Sequence, residues 1–127
     1  MDNKFYVSYK AARLLKEKWY DEDARNFYDE EGLLLEVEGF YNFEYLNNEE
    51  LDNNHYSAPT KAEVIDWLES KELVIEATSL INGNKWRFSL YKRGSFYIDS
   101  LIDDRLDFPT RLQAEEAAII KALELLQ

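Results

Sequence analysis

His55 is the only imidazole in the chain and so the only side chain suited to proton transfer near neutral pH or to nitrogen ligation of a metal. One histidine excludes a His–His pair within the chain, and the absence of cysteine removes thiolate ligands, disulfides and thiol nucleophiles. His55 follows Asp52-Asn53-Asn54, a polar stretch that reads as loop, so the sequence places it at the surface in a structural role. No serine stands in a nucleophile-elbow context, and four glycines leave no phosphate loop ending in Lys-Ser or Lys-Thr. Hard cations would have to use Asp21-Glu22-Asp23, Asp29-Glu30-Glu31 or Asp103-Asp104. None has the alternating ligands around a central glycine of a calcium loop, and like-charge runs of this kind stay solvated. Paired-carboxylate hydrolysis has ample raw material in 26 acidic residues but no spacing that fixes a pair. The expectation is a protein that is not an enzyme, with no catalytic residue, metal or cofactor.

The aromatics carry a different possibility. Seven Phe, nine Tyr and three Trp are far too many for a disordered chain. Trp19, Trp67, Trp86 and Phe88 fall at core positions of helices or strands. Tyr41, Phe43 and Tyr45 alternate ahead of an Asn/Glu-rich stretch, while Tyr91 and Tyr97 have the opposite parity to the core residues of their strands. These five are the candidates for a protein-binding surface, where tyrosine is enriched. The basic residues offer an alternative, a nucleic-acid-binding patch from Lys85, Arg87, Lys92, Arg93 and Arg111. Lys85 and Arg87 share one strand face, and Lys92 and Arg93 stand at a turn.

Charge weighs against that alternative. The net charge is −11, and residues 1–56 hold six Lys/Arg against fourteen Asp/Glu, a net −8. Residues 57–127 hold nine against twelve, a net −3. Such a field repels phosphate backbones and anionic membranes, and it favours solubility. What it leaves is an unknown protein partner.

The elements that must position these residues are largely readable. Ala11, Leu14, Leu15 and Trp19 recur at helical spacing from Ser8, an N-cap, to about Tyr20. Residues 24–28 and 33–37 read as two short strands around a turn at Asp29-Glu30-Glu31-Gly32. From Gly39 to Ser57 the aromatics are expected against the body of the domain and the Asn/Glu-rich part in solvent. Thr60-Lys-Ala-Glu63 fits a capping box opening a helix to about Lys71. Strands follow at 73–81, at 85–92 after the Asn82-Gly83-Asn84 turn, and around Phe96, Ile98 and Ile102. Thr110-Arg-Leu-Gln113 caps a last helix whose Leu112, Ile119, Ile120, Leu123 and Leu126 form an apolar stripe.

This order predicts an α+β fold: an antiparallel three-stranded sheet with helices on one face, an α-β-β-β-α core, preceded by an N-terminal helix and a short β-hairpin. Residues 1–56 would form the helix, hairpin and acidic loop, and residues 57–127 the core, within one compact domain. An exposed sheet edge leaves room for a homo-oligomer. No apolar run approaches the ~20 residues of a membrane span, and Met1-Asp2-Asn3-Lys4 does not read as a signal peptide, so a cytoplasmic location is expected.

Two resemblances accompany this reading. The α-β-β-β-α order and the closing Gln113-Ala-Glu-Glu-Ala-Ala-Ile-Ile-Lys-Ala-Leu-Glu-Leu-Leu126 resemble the double-stranded-RNA-binding domain. That family grips phosphate with lysines at the start of its last helix, where this chain has Arg111, Gln113, Glu115 and Glu116. Most of the chain is also similar to small uncharacterised proteins carried by phages and prophages of gut anaerobes. Tyr56-Ser-Ala-Pro-Thr60, Val64, Trp67-Leu68, Leu14-Leu15-Lys16-Glu17 and Tyr28-Asp-Glu-Glu-Gly32 carry that likeness. It implies a mobile-element origin and a small accessory role.

Overall fold

The computed structural model describes residues 3–79, 85–93 and 107–126, and the chain falls into two compact units, residues 1–60 with 126–127 and residues 61–125. Helices and antiparallel sheets make it an α+β protein, as the sequence predicts.

In the first unit a 3-10 turn at Asn3–Phe5 leads into α1 (Tyr9–Glu17). The Ser8 side chain accepts the Ala11 N–H at 3.1 Å, satisfying one of the amides that a helix start leaves unpaired. Ala11, Ala12 and Leu15 form the buried face. The helix stops before Trp19. The Trp19 N–H reaches Lys16 O at 3.2 Å, and the Tyr20 N–H reaches Leu15 O at 3.0 Å, which together form a Schellman turn. Its left-handed position, usually glycine, is held by Trp19 at φ 64°. Tyr20 and Leu15, the two positions such motifs favour as apolar, are both buried. Trp19 is 80% exposed, so its expected place in the core is corrected: the i+4 spacing from Leu15 runs past the end of the helix.

That turn yields a prediction. A left-handed conformation costs an L-residue roughly 1–2 kcal/mol, more than the unfolded-chain freedom glycine regains, about 0.4–1 kcal/mol. Trp19→Gly should therefore raise stability by about 1 kcal/mol, read from the urea midpoint. A midpoint that falls would mean that the indole makes packing contacts worth more than the strain.

β1 (Asn26–Tyr28) and β2 (Leu34–Glu36) pair antiparallel, with Phe27 opposite Leu35. One Asp29 carboxylate oxygen accepts the N–H groups of Glu31 and Leu33, both at 2.9 Å, which shapes the turn between them. Gly32 sits there at φ 83°, a conformation that favours glycine, and a Cβ on it would press on the Tyr9 ring at 3.2 Å.

The sequence extends the second strand to Val37, but Val37 instead opens α2 (Val37–Tyr41), with its N–H still bonded to Arg25 O at 2.8 Å. Asn42, at φ 65°, ends this single turn. β3 (Tyr56–Ser57) pairs with the other edge of β1, giving the sheet order β2-β1-β3. The hairpin thus belongs to a sheet completed by Tyr56–Ser57. Phe27, Val37, Leu46 and Leu51 form the enclosed cluster, with Leu35 and Tyr41 against it.

The polar stretch is less exposed than its composition suggests. Asn48 is buried: its amide donates to Tyr20 O at 3.1 Å, and its carbonyl accepts the Ser57 N–H at 2.9 Å. An asparagine that satisfies backbone on both sides can be buried at little cost.

The second unit contains α3 (Lys61–Ser70), β4 (Leu73–Ser79), β5 (Trp86–Lys92) and α4 (Arg111–Leu125). β4 and β5 pair antiparallel from Leu73 opposite Lys92 to Ser79 opposite Trp86. Leu73, Ile75, Phe88 and Leu90 are buried, as are Val64, Trp67 and Leu68 of α3. Ala114, Ala118 and Ala122 recur every four residues on the buried side of α4, beside Ile119 and Leu123. Such small residues let a helix lie close to the strands it covers. The Thr110 hydroxyl accepts the Gln113 N–H at 3.1 Å, the cap expected there. The expected third strand, around Phe96 to Ile102, and the Asp103-Asp104 loop lie outside the described residues. Phe108 does exchange both main-chain hydrogen bonds with Trp86, each 2.8 Å, on the side of β5 away from β4.

Candidate functional site

α2 and the turn after it bring Phe40, Tyr41, Phe43 and Tyr45 into one short segment and divide them between inside and outside. Tyr41 is half-buried against Phe27, with ring centroids 5.3 Å apart, and anchors the segment. Phe40 and Phe43 are 58% and 62% exposed, which corrects the expectation that the aromatics face the body of the domain. A five-residue helix cannot hide two successive faces, and the left-handed Asn42 redirects the chain outward. Tyr45 is 42% exposed, with its ring 4.9 Å beneath the Arg25 guanidinium and its hydroxyl accepting from the same group at 2.5 Å. Arg25 also meets Glu44 at 3.5 Å. The hydrogen bond to Tyr45 holds the Arg25 guanidinium above its ordinary value. Of the three candidates in this segment, Phe43 and Tyr45 face solvent and Tyr41 is largely structural. Phe40 is the exposed aromatic that residue alternation missed.

His55 is buried, at 7% exposure, which overturns its expected surface position. Its ring lies 4.9 Å from Phe27 and 5.3 Å from Phe40, both distant in sequence. Its Nδ1 and the Tyr41 hydroxyl are 2.5 Å apart, and that hydroxyl accepts the Asp52 N–H at 3.1 Å. The tautomer that uses the Tyr41 proton has Nδ1 accepting and Nε2 protonated. The Asp52 carboxylate stands 3.8 Å from Nδ1. Lys16 braces the loop from α1: its ammonium donates to the carbonyls of Asp52 at 2.9 Å, Asn53 at 3.4 Å and His55 at 2.7 Å. Burial lowers the Lys16 amine below its ordinary value, and the Asp52 charge opposes that shift. Within this Tyr–His–Asp group the Tyr41 hydroxyl joins His55 to the Asp52 main chain, so its bonds close on the loop itself.

Burial raises the Tyr41 phenol above its ordinary value, partly offset by its hydrogen bond from Asp52. A phenol whose folded pKa is raised contributes stability that is full below its unfolded value, near 10, and lost as pH climbs through the folded value. Unfolding midpoints measured from about pH 9 to 11 should therefore fall more steeply for the natural protein than for Tyr41→Phe. Parallel slopes would show that Tyr41 ionises as freely in the folded chain as in the unfolded one.

In the second unit Tyr91 is half-buried and donates to Glu76 Oε1 at 2.6 Å across the hairpin, a bond that raises its phenol above the ordinary value. Tyr97 lies outside the described residues. The basic candidates are mostly paired with carboxylates. Asp107 takes Arg87 Nε at 2.7 Å and Lys85 at 3.8 Å, Glu69 takes Arg93, and Glu115 faces Arg111 at 3.8 Å. Lys92 stands exposed at the end of β5. Lys61, which the sequence did not single out, is buried at the start of α3; desolvation lowers its amine, and Glu116 and Glu115 oppose the shift.

Among the described residues no three His, Asp or Glu side chains are grouped so as to hold a metal ion, and no helix is long and apolar enough to cross a membrane. No family model matches the chain, no curated protein matches it, and no solved structure matches its fold.

Proposed function

We propose that this is a non-enzymatic protein-interaction module of phage origin, acting in the cytoplasm, whose contact surface is the segment Phe40, Phe43 and Tyr45. The observation that carries the reading is the exposure of Phe40 and Phe43 on a turn fixed from beneath by Tyr41. Rigid aromatic side chains held in water are the groups that dominate protein contacts, because burying them costs little conformational entropy. Glu36, Glu38 and Glu44 neighbour them in sequence, and residues 1–56 carry a net −8. The partner therefore presents an apolar segment bordered by Lys and Arg, and opposite charge speeds the encounter.

The alternative, nucleic-acid binding through Lys85, Arg87, Lys92, Arg93 and Arg111, has less support. Four of those five cations face carboxylates of their own unit. Breaking those pairs would reduce what phosphate contacts return.

The test compares immobilised natural protein with the double variant Phe40→Ser, Phe43→Ser in a bacterial lysate. The natural protein should retain a basic protein at low salt that the variant loses and that high salt releases. Recovery of the same proteins by both would overturn the reading. A gel shift with duplex RNA or DNA at low salt and micromolar protein would favour the alternative.

A further inference from the structure

We propose that the cavity between α1 and the loop leading into β3 is a binding site for a small phosphate-bearing metabolite, the phosphate held by Arg13 and Lys10. The cavity measures about 650 Å³, within the size range of small-molecule sites. Lys10, Arg13 and Glu17 line one wall from a single face of α1, at spacings of three and four, and Asn53 and Tyr56 line the other. Three of the six basic residues in the first 56, Lys10, Arg13 and Lys16, meet here, in a stretch that is otherwise strongly acidic.

Those three cations have different tasks. Lys16 spends its protons on the carbonyls of Asp52, Asn53 and His55, which fixes the loop wall and leaves the ammonium charge beside the cavity. Arg13 stacks on the Tyr9 ring, 4.9 Å from its centroid. That contact orients the guanidinium plane and leaves its N–H edge available for two oxygens of one phosphate. Among the described residues neither Arg13 nor Lys10 has a carboxylate partner, unlike Lys85, Arg87, Arg93 and Arg111 of the second unit.

The other lining groups, one turn further along α1 and on the loop, set the rest of the ligand. The Glu17 carboxylate repels a phosphate and accepts hydroxyl hydrogens, and the Asn53 carboxamide both donates and accepts. A hydroxylated phosphate ester, such as a sugar phosphate or nucleotide, satisfies both sets of groups, whereas inorganic phosphate satisfies one. A polyanion fits worse. Beyond about 8 Å the positive zone is screened, and the neighbouring segments carry Glu30, which accepts from Asn54 and Tyr9, and Asp52, next to the lining Asn53. Successive phosphates of a nucleic acid would meet those carboxylates.

The experiment titrates the full chain, isotopically labelled, with ribose 5-phosphate, adenosine monophosphate and inorganic phosphate, following amide resonances and heat. The two esters should saturate with shifts at residues 10–17 and 53–56, and inorganic phosphate should bind there more weakly. Arg13→Gln and Lys10→Gln should each weaken the ester at least about tenfold, Arg13→Lys should fall between, and Lys92→Gln should change nothing. Circular dichroism identifies any variant that fails to fold, and the surface position of both residues leaves at least one of the pair informative. The proposal is overturned if millimolar ester produces no saturable shift, if Arg13→Gln and Lys10→Gln both bind as the natural protein does, or if a short RNA duplex shifts the same residues at lower concentration than the esters. It stands apart from the aromatic surface, since Phe43→Ser alone, which keeps the Phe40–His55 contact, should leave ester binding intact.

Discussion

Replacing Phe27 with alanine is expected to lower stability by about 3–5 kcal/mol, the largest effect of any substitution considered for the first unit. Phe27 is fully enclosed. It belongs to the central strand of the β2-β1-β3 sheet and packs with Val37, Leu46 and Leu51. It also meets the rings of Phe40, Tyr41 and His55 edge-on or tilted, at 5.5, 5.3 and 4.9 Å. Alanine forfeits the transfer energy of the ring and leaves a void, and the pairing of β1 on both edges prevents the sheet from collapsing into it. Urea unfolding gives the magnitude, and amide exchange at residues 26–28 and 56–57 should accelerate with it. A loss under about 1 kcal/mol would show that the pocket around Phe27 relaxes freely.

The same residue shows why some of this structure was legible in the sequence and some was not. Ser8, Gly32 and Thr110 announce α1, the first hairpin and α4, because caps and left-handed turns are local chemistry. Alternation in residues 86–90 places Phe88 and Leu90 inside for the same reason. The segment from Val37 to Ser57 obeys no local rule. α2 is one turn long, contains Gly39 and has no side-chain cap, so it persists through tertiary contacts rather than propensity. β3 has two residues, too few for a period. His55 is polar by composition and buried by Phe27 and Phe40, which lie 28 and 15 positions away. The aromatic surface was half legible: alternation found Phe43 and Tyr45, and only the direction of the α2 turn exposes Phe40.

Lys16→Met is expected to cost about 2 kcal/mol, because it removes a charged donor from three carbonyls while keeping the aliphatic stem. The carbonyl of His55 is the most consequential of them. Its bond is the shortest, at 2.7 Å, and it is partly withdrawn from water. Asp52 and Asn53 are exposed and can be hydrated after the change, which keeps the loss below the sum of three charged hydrogen bonds. Loss of the brace should also loosen residues 52–56, so their amides should exchange faster than those of β4 and β5. Lys10→Met, on the same helix with no comparable bonds, should stay within about 0.5 kcal/mol of the natural protein. Equal effects from the two would mean that helix charge, and not the carbonyl cluster, determines the stability.

Trp19 gives the protein an optical handle. Of its three indoles, one stands in water at the end of α1, one is enclosed in α3 and one is half-covered at the start of β5. Emission should therefore divide into a long-wavelength, quencher-accessible fraction from Trp19 and a shielded fraction from Trp67. Any molecule that settles over the end of α1 would shift the first fraction, so association there can be followed by the protein's own light with no label attached.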